Sequence, residues 1–589
     1  MITPWLLPIV VPLAVALMLV FPGASRRLGL WLAPWAALPA LLFALLPDPG
    51  SSVTLPWLLL GTTLGLDMVG QVFLFLAAFL WLISGVYART YLSGDPHATR
   101  FFVFFLLAMA GNIGLTVAQD VASFYLFFAL MTLSAYPLIV HSGRPSAMRA
   151  GRIYLVMTLI GETLLLLALW LIVSGSGTLA LGTAAATVAA SPARDVIVLF
   201  LLVGFGIKVG LVPFHIWLPL VYPAAPTPAS AVLSGTMIAA GVLGWLRFLP
   251  LGEVGLNGWG GLLIAIGLIS AFYGVAIGVT QDRPKASLAY SSISQMGIFA
   301  IAVGVGLVNP AAWPVAQLAV LVLVLHHGLA KASLFLGEGL VVGTDRLGRR
   351  RRLLVVAMTL PALALAGAPF TSGAIAKLSL KHAATMATTP WVTWLEVLLP
   401  LVAIGTTILM ARFLLILFTT DEERVPSPGR VGHESSLPAG LVGPWALLTL
   451  AVAWAALSLA TRVGERIEVS PLDPRDLWLA TWPVVTGLVL SLGAWAVLRR
   501  PSLERARAGA THRLVALPRA TWRRTWGGIP RLLAAGRSAL RAPRWPARVA
   551  PAALDDRLAV IEAGLTAWPV AGALFVAIVL GLTMALVWP

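Results

Sequence analysis

Only five lysines occur among the 40 basic residues of the chain: Lys208, Lys285, Lys331, Lys377 and Lys381. The other 35 are arginines, whose guanidinium keeps its proton inside a protein, whereas a lysine taken out of water can release one and titrate. Four of the five fall inside long apolar runs, and Lys285 sits at the edge of one. A charge at mid-membrane costs at least about 2.5 to 3.5 kcal/mol, so a residue that carries one points to function. The chemistry on offer is reversible proton binding. A lysine near a helix end can instead snorkel its charge to the interface, and for Lys381 and Lys285 that reading stands beside the functional one.

The neighbours of three lysines suit proton relay. Lys208 lies in Gly204-Phe-Gly-Ile-Lys208-Val-Gly210-Leu-Val-Pro213-Phe-His215, where the glycines and Pro213 break a helix and expose backbone dipoles, with His215 as a candidate relay. Lys331 follows His327 by one turn and shares a face with Glu338. Lys377 follows a second interruption, Pro369-Phe-Thr-Ser-Gly373, and shares a face with Lys381, with His382 next to it. Two interrupted spans with a lysine each, one in either half, are the pattern of an inverted-repeat transporter.

Those groups need elements that hold them in a bilayer, and the composition supplies them. The chain has 589 residues, 59% apolar and 11% charged, with a mean hydropathy of +0.93. A soluble domain carries roughly a quarter charged residues, and one hydrophobic core stops growing beyond about 250 to 300 residues. Soluble enzymes, collagen, coiled coils and disordered chains are excluded, which leaves an all-α polytopic membrane protein. Apolar runs of spanning length occur sixteen times, near 3–21, 28–46, 69–93, 101–118, 121–141, 152–174, 195–219, 228–250, 258–280, 286–306, 313–341, 352–388, 391–419, 440–461, 477–498 and 564–588. The first begins almost at Met1 without a basic leader, so it reads as a span and not as a removable signal.

Basic residues alternate between loops. Arg26 and Arg27, Arg89 and Arg100, Arg144 to Arg152, Arg283 and Lys285, Arg346 to Arg352, Arg424 and Arg430, and Arg499 to Arg557 fall on one side. The exception is the loop with Arg462, Arg466 and Arg475, where Glu465, Glu468, Asp473 and Asp476 are interspersed. The positive-inside rule then puts both termini outside and the basic segment in the cytoplasm, in a membrane of the bacterial inner type. Fourteen arginines between Arg499 and Arg557 mix with Trp522, Trp526 and Leu532, the composition of short amphipathic pieces on lipid or a neighbouring subunit. A disordered basic linker is the alternative, and a nucleic-acid partner is not expected. The expected organisation is 1–100 as amino-terminal spans, 101–250 and 258–419 as two further groups of spans, 440–498 as the spans after them, 499–563 as the basic lateral segment and 564–588 as the final span.

Cysteine is absent, so thiolate metal sites and iron-sulfur ligation by this chain are excluded. No nucleotide motif, nucleophile triad or metal cluster stands out, and neither cofactor nor metal is expected. If electrons move, another subunit carries them.

The stretch from Lys208 to Phe248, KVGLVPFHIWLPLVYPAAPTPASAVLSGTMIAAGVLGWLRF, resembles the signature of the antiporter-like proton-transporting membrane subunits. That family includes the large membrane subunits of respiratory complex I, their counterparts in hydrogenase-4 and formate hydrogenlyase, the Mrp antiporters and the membrane subunit of inorganic carbon uptake complexes. Gln119 to Tyr136, Asp282 to Gly297, His326 to Gly339 and Ala368 to Lys377 are similar to the family in the same order. The resemblance implies that 101–250 and 258–419 are two inverted repeats of five spans, each a half channel, joined by a polar axis. It implies proton transfer through Lys208, Lys331 and Lys377, in a non-redox subunit of a larger translocating complex.

Two positions depart from the family. Ala129 stands where the family has a glutamate that pairs with the lysine matching Lys208, and Ala239 lies where a lysine or histidine is common. Glu162 is the nearby membrane carboxylate that could replace the missing partner; a purely structural role is its alternative. Partner subunits, lipid and protons are expected, with Na⁺ the alternative ion. An Mrp-type antiporter, a carbon-uptake subunit and a scaffold with a decayed amino-terminal channel are the competing readings.

Overall fold

The computed structural model describes residues 4–45, 52–343, 348–419, 438–462 and 472–498. Hydrocarbon offers backbone groups no partner, so each long apolar run bonds its own N–H and C=O groups as a helix. Helices α1 (Leu7–Val20), α2 (Ala24–Leu32) and α3 (Leu38–Ala44) come first. A small antiparallel hairpin follows, β1 (Ser52–Leu55) against β2 (Thr62–Gly65). Next are α4 (Met68–Tyr91), α5 (Ala98–Val117), α6 (Val121–Ile139), α7 (Pro145–Ser176) and the short α8 (Ala184–Ala190). The first broken span comprises α9 (Arg194–Val209) and α10 (Leu218–Ala224). After it, α11 (Thr227–Val232) passes through a π turn, Leu233–Met237, into α12 (Ala239–Phe248). Helices α13 (Asn257–Gly278), α14 (Pro284–Val308) and α15 (Trp313–Gly343) are long. The second broken span comprises α16 (Gly348–Ala357), α17 (Thr359–Ala366) and α18 (Ser372–Thr385). Last come α19 (Trp391–Thr419), α20 (Ala439–Arg462) and α21 (Pro474–Leu498).

Thirteen helices among the described residues are long and apolar enough to cross a membrane, and the chain is a multi-pass membrane protein. Of the other three apolar runs, the first forms the shorter Pro4–Val20 helix, the run at 352–388 is divided among α16 to α18, and 564–588 lies outside the described residues. The basic segment 499–563 lies outside them too. The hairpin was not foreseen, because two four-residue strands carry too little alternation to register.

Helix ends follow local chemistry. Asp67 caps α4 by accepting the Gly70 N–H at 2.7 Å, and Asp120 caps α6 by accepting that of Ser123 at 2.8 Å. The second Asp120 oxygen takes the Thr63 N–H at 2.8 Å, which ties α6 to the hairpin. Outside the membrane span, burial raises the Asp67 carboxyl, but the Arg247 guanidinium and the Gly70 N–H outweigh it and hold it below the usual carboxylate range.

The interior is built around α14, which is buried at every residue except Lys285 and Tyr290. It packs on α13 through facing glycines: a Cβ at Gly267 would lie 2.6 Å from the Gly297 carbonyl oxygen, so this close approach needs glycine. The two breaks are backbone events. Helix α9 stops at Gly210, with φ +74°, and α17 stops at Gly367, with φ +88°, a left-handed conformation that costs glycine nothing.

Candidate functional site

Lys208 is in the last turn of α9, two residues before Gly210. A helix end leaves carbonyls without partners, and the Trp217 indole N–H takes one of them, Ile207 O, at 2.8 Å. The Lys208 ammonium donates to Thr132 Oγ1 at 3.1 Å and stands 5.5 Å from the Phe128 ring centre and 5.9 Å from that of Tyr154. Those rings offer cation–π contacts in a dry setting.

Glu162 of α7 lines the same pocket as Lys208, Thr132 and Tyr154. Its carboxylate is within electrostatic reach of Lys208 and hydrogen-bond reach of Thr132, and its Oε1 has no hydrogen-bond partner. Thr132 itself donates to Phe128 O at 2.7 Å. A hydroxyl carries one proton and can rotate, so Thr132 can serve either that carbonyl or the carboxylate. The carboxylate absent at Ala129 is therefore present in the pocket from the next helix. His215 is not part of this pocket: it is packed edge-on to Tyr273, with ring centres 4.7 Å apart.

Lys331, in the middle of α15, is fully buried. Its ammonium donates to Leu288 O at 2.7 Å and to Ser291 Oγ, both on α14. One turn earlier His327 meets the Phe299 ring edge-on at 5.9 Å, and neither ring nitrogen has a side-chain hydrogen-bond partner. Its neighbour His326 places Nδ1 3.0 Å from Ser372 Oγ, at the start of α18, and lies within electrostatic reach of Lys377. The row Lys331, His327, His326, Ser372 and Lys377 thus links α15 to the second break through the protein interior.

Lys377 reaches back across that break to donate to Ala366 O, the last carbonyl of α17. It shares a pocket with Lys381, and no carboxylate lines that pocket among the described residues. Lys381 donates to Leu479 O at 3.2 Å. Pro483 stands four residues after Leu479 and has no N–H to give that carbonyl. Asp476 of α21 lies within electrostatic reach of Lys381.

Two relations escaped the sequence. Thr132 lies within the quoted 119–136 stretch, but nothing there assigns it to Lys208. Glu338 shares a face with Lys331, yet the lysine whose charge it faces is Lys285 on α14. Lys285 itself donates to Ala225 O at 3.1 Å, where α10 ends.

Residues 118–403 match the family described as NADH:quinone oxidoreductase/Mrp antiporter, transmembrane region. The chain is similar to hydrogenase-4 component B of Escherichia coli K12, 32% identical over 292 residues, which are 48% of this chain and 43% of that one. It is similar to the putative antiporter subunit mnhA2 of Staphylococcus haemolyticus, 32% identical over 336 residues, 53% of this chain and 42% of that one. The aligned stretches thus take in less than half the length of either relative. A chain of the Mrp complex from Dietzia sp. DQ12-45-1b shares the fold, with a TM-score of 0.72 at 23% identity over 96% of this chain and 66% of that chain.

Proposed function

The chain is an antiporter-like membrane subunit of the complex I, hydrogenase-4 and Mrp families, and from that premise we propose that it carries protons for a multisubunit energy-converting complex of the complex I or membrane-bound hydrogenase type. Lys208, Lys331 and Lys377 are the carriers in this reading, and 101–250 and 258–419 are the half channels. The observation that carries it is the interior row from Lys331 through His327, His326 and Ser372 to Lys377. Each member can accept or donate a proton, and the row starts at a buried lysine and ends at one beside a helix break. Glu162 takes the part of the carboxylate missing at Ala129. The chain sits in an inner membrane with both termini outside and 499–563 on the cytoplasmic side, along a partner subunit or lipid.

A specific observation favours H⁺ over Na⁺. Of the three buried carboxylates among the described residues, Glu162 and Glu338 each face a lysine, so a cation already balances their charge, and Asp120 is taken up by the Thr63 and Ser123 N–H groups. Isolation in mild detergent tests the assignment: flavin and iron-sulfur subunits or a nickel hydrogenase are expected to co-purify. A zinc protein instead would select the carbon-uptake reading, and sister antiporter subunits alone the Mrp reading. In vesicles, Lys331→Ala is expected to assemble and to lose proton transport by about 100-fold or more.

A further inference from the structure

Glu338 and Lys285 belong to a cluster that the route above does not use. Glu338 is near the end of α15 and buried. A Cβ at the adjoining Gly339 would lie 2.9 Å from both Thr227 Oγ1 and Tyr87 Oη, so those two hydroxyls pack against this turn. Tyr87 Oη donates to Leu336 O at 3.2 Å. Tyr91, one turn on along α4, is hydrogen-bonded to Thr227 and lies within electrostatic reach of both Glu338 and Asp95. Asp95 is in the loop that follows α4. It accepts the His97 N–H at 2.7 Å and pairs with His141 Nε2 at 3.1 Å. Although burial raises the Asp95 carboxyl, these partners outweigh it and hold it below its ordinary value, so it stays charged at neutral pH.

The same two helices continue inward to Lys331. Glu338 and Lys331 are seven residues apart on one face of α15, about 10 Å along the axis. On α14, Lys285 is one turn from Leu288, whose carbonyl accepts from Lys331. The facing sides of α14 and α15 therefore hold a polar ladder that descends from the Asp95 loop to the central lysine.

We infer that Glu338 is a proton carrier that supplies Lys331 from the face bearing Asp95 and His141, with Lys285 as its fixed counter-charge. A proton from water at that face passes, by way of the Tyr91 hydroxyl, to the Glu338 carboxylate, which becomes the neutral acid. The acid then gives it up, through the hydroxyl of Ser291 and intervening water, to a neutral Lys331 amine. Lys331 becomes the ammonium and Glu338 returns to the carboxylate. Lys285 positions Glu338 and does not itself lose a proton.

The inference rests on Lys331 as a carrier, so both are read in one experiment. The complex as it purifies in mild detergent is placed in phospholipid vesicles with a trapped pH-sensitive dye, and proton uptake is driven by a potassium diffusion potential. Glu338→Gln is expected to slow uptake at least about tenfold, with azide, a small proton carrier, restoring part of the rate in Glu338→Gln but not in Lys331→Ala. Lys285→Arg is expected to work and Lys285→Met to fail, because a permanent charge satisfies a positioning role. If Lys331→Ala stops uptake while Glu338→Gln runs at the wild-type rate, the access route is wrong and the Lys331 assignment stands. If neither slows uptake, the assignment of Lys331 itself falls. Should Glu338→Gln not assemble, Tyr91→Phe is expected to slow uptake about threefold or more, and an unchanged rate there overturns the route.

Discussion

At the first helix break Lys208 shares its pocket with Glu162, Thr132 and two aromatic rings; at the second, Lys377 shares its pocket with Lys381 and with the carbonyl at the end of a half helix. Both arrangements offset the desolvation of an ammonium, by different means. The first uses a full opposite charge from a neighbouring helix. The second uses backbone dipoles, the carbonyl at Ala366 for Lys377 and the one at Leu479 that Pro483 leaves free for Lys381, with Asp476 in electrostatic reach of Lys381. Ammonium charges on both Lys377 and Lys381 would repel across one helical turn. The comparison teaches that the amino-terminal pocket depends on one replaceable carboxylate, whereas the carboxy-terminal pocket depends on the break itself.

The largest effect is expected where nothing can substitute. Lys377→Ala should leave the complex assembled and lower proton uptake about 100-fold or more, as is expected of Lys331→Ala, because on the proposed route the interior row would lose its terminal carrier. Glu162→Gln should slow uptake about tenfold, and adding Ala129→Glu to it should recover most of the rate, since the carboxylate would return to the pocket from α6. A double variant as slow as Glu162→Gln would show that the position of the carboxylate matters, not only its charge. Thr132→Val removes the hydrogen-bond acceptor of Lys208 and should cost about 1.5 to 3 kcal/mol of stability, measured as a lower midpoint for thermal loss of the purified complex. The smallest change is expected for Pro483→Ala: the restored N–H competes with Lys381 for Leu479 O, and uptake should fall by no more than about twofold.

Scarcity made the lysines legible. A chain that uses arginine for ordinary charge marks its few lysines, and Gly210, Pro213 and the 367–373 stretch mark the breaks beside two of them. The family resemblance rested on the same residues. Pairings between helices were not legible. Thr132, Glu162 and Lys208 come from α6, α7 and α9, and only packing brings them together. Glu338 has a lysine on its own face at Lys331, a relation that helical periodicity shows, but the charge it meets is on α14, which periodicity along α15 cannot reveal. The link from Pro483 through Leu479 to Lys381 joins positions about a hundred residues apart and needs coordinates for the same reason. The π turn at Leu233–Met237, near the place where Ala239 departs from the family, left no mark in composition.

Proton uptake by Lys377→Arg, beside Lys377→Ala, tests the central claim most directly. Arginine keeps a positive charge at the second break and can still donate to the Ala366 carbonyl, but it cannot release a proton. If Lys377 is a carrier, the arginine variant should assemble like the wild type in vesicles and take up protons as slowly as the alanine variant. Uptake by Lys377→Arg at the wild-type rate would contradict the account, because a fixed charge would then do all that the lysine does.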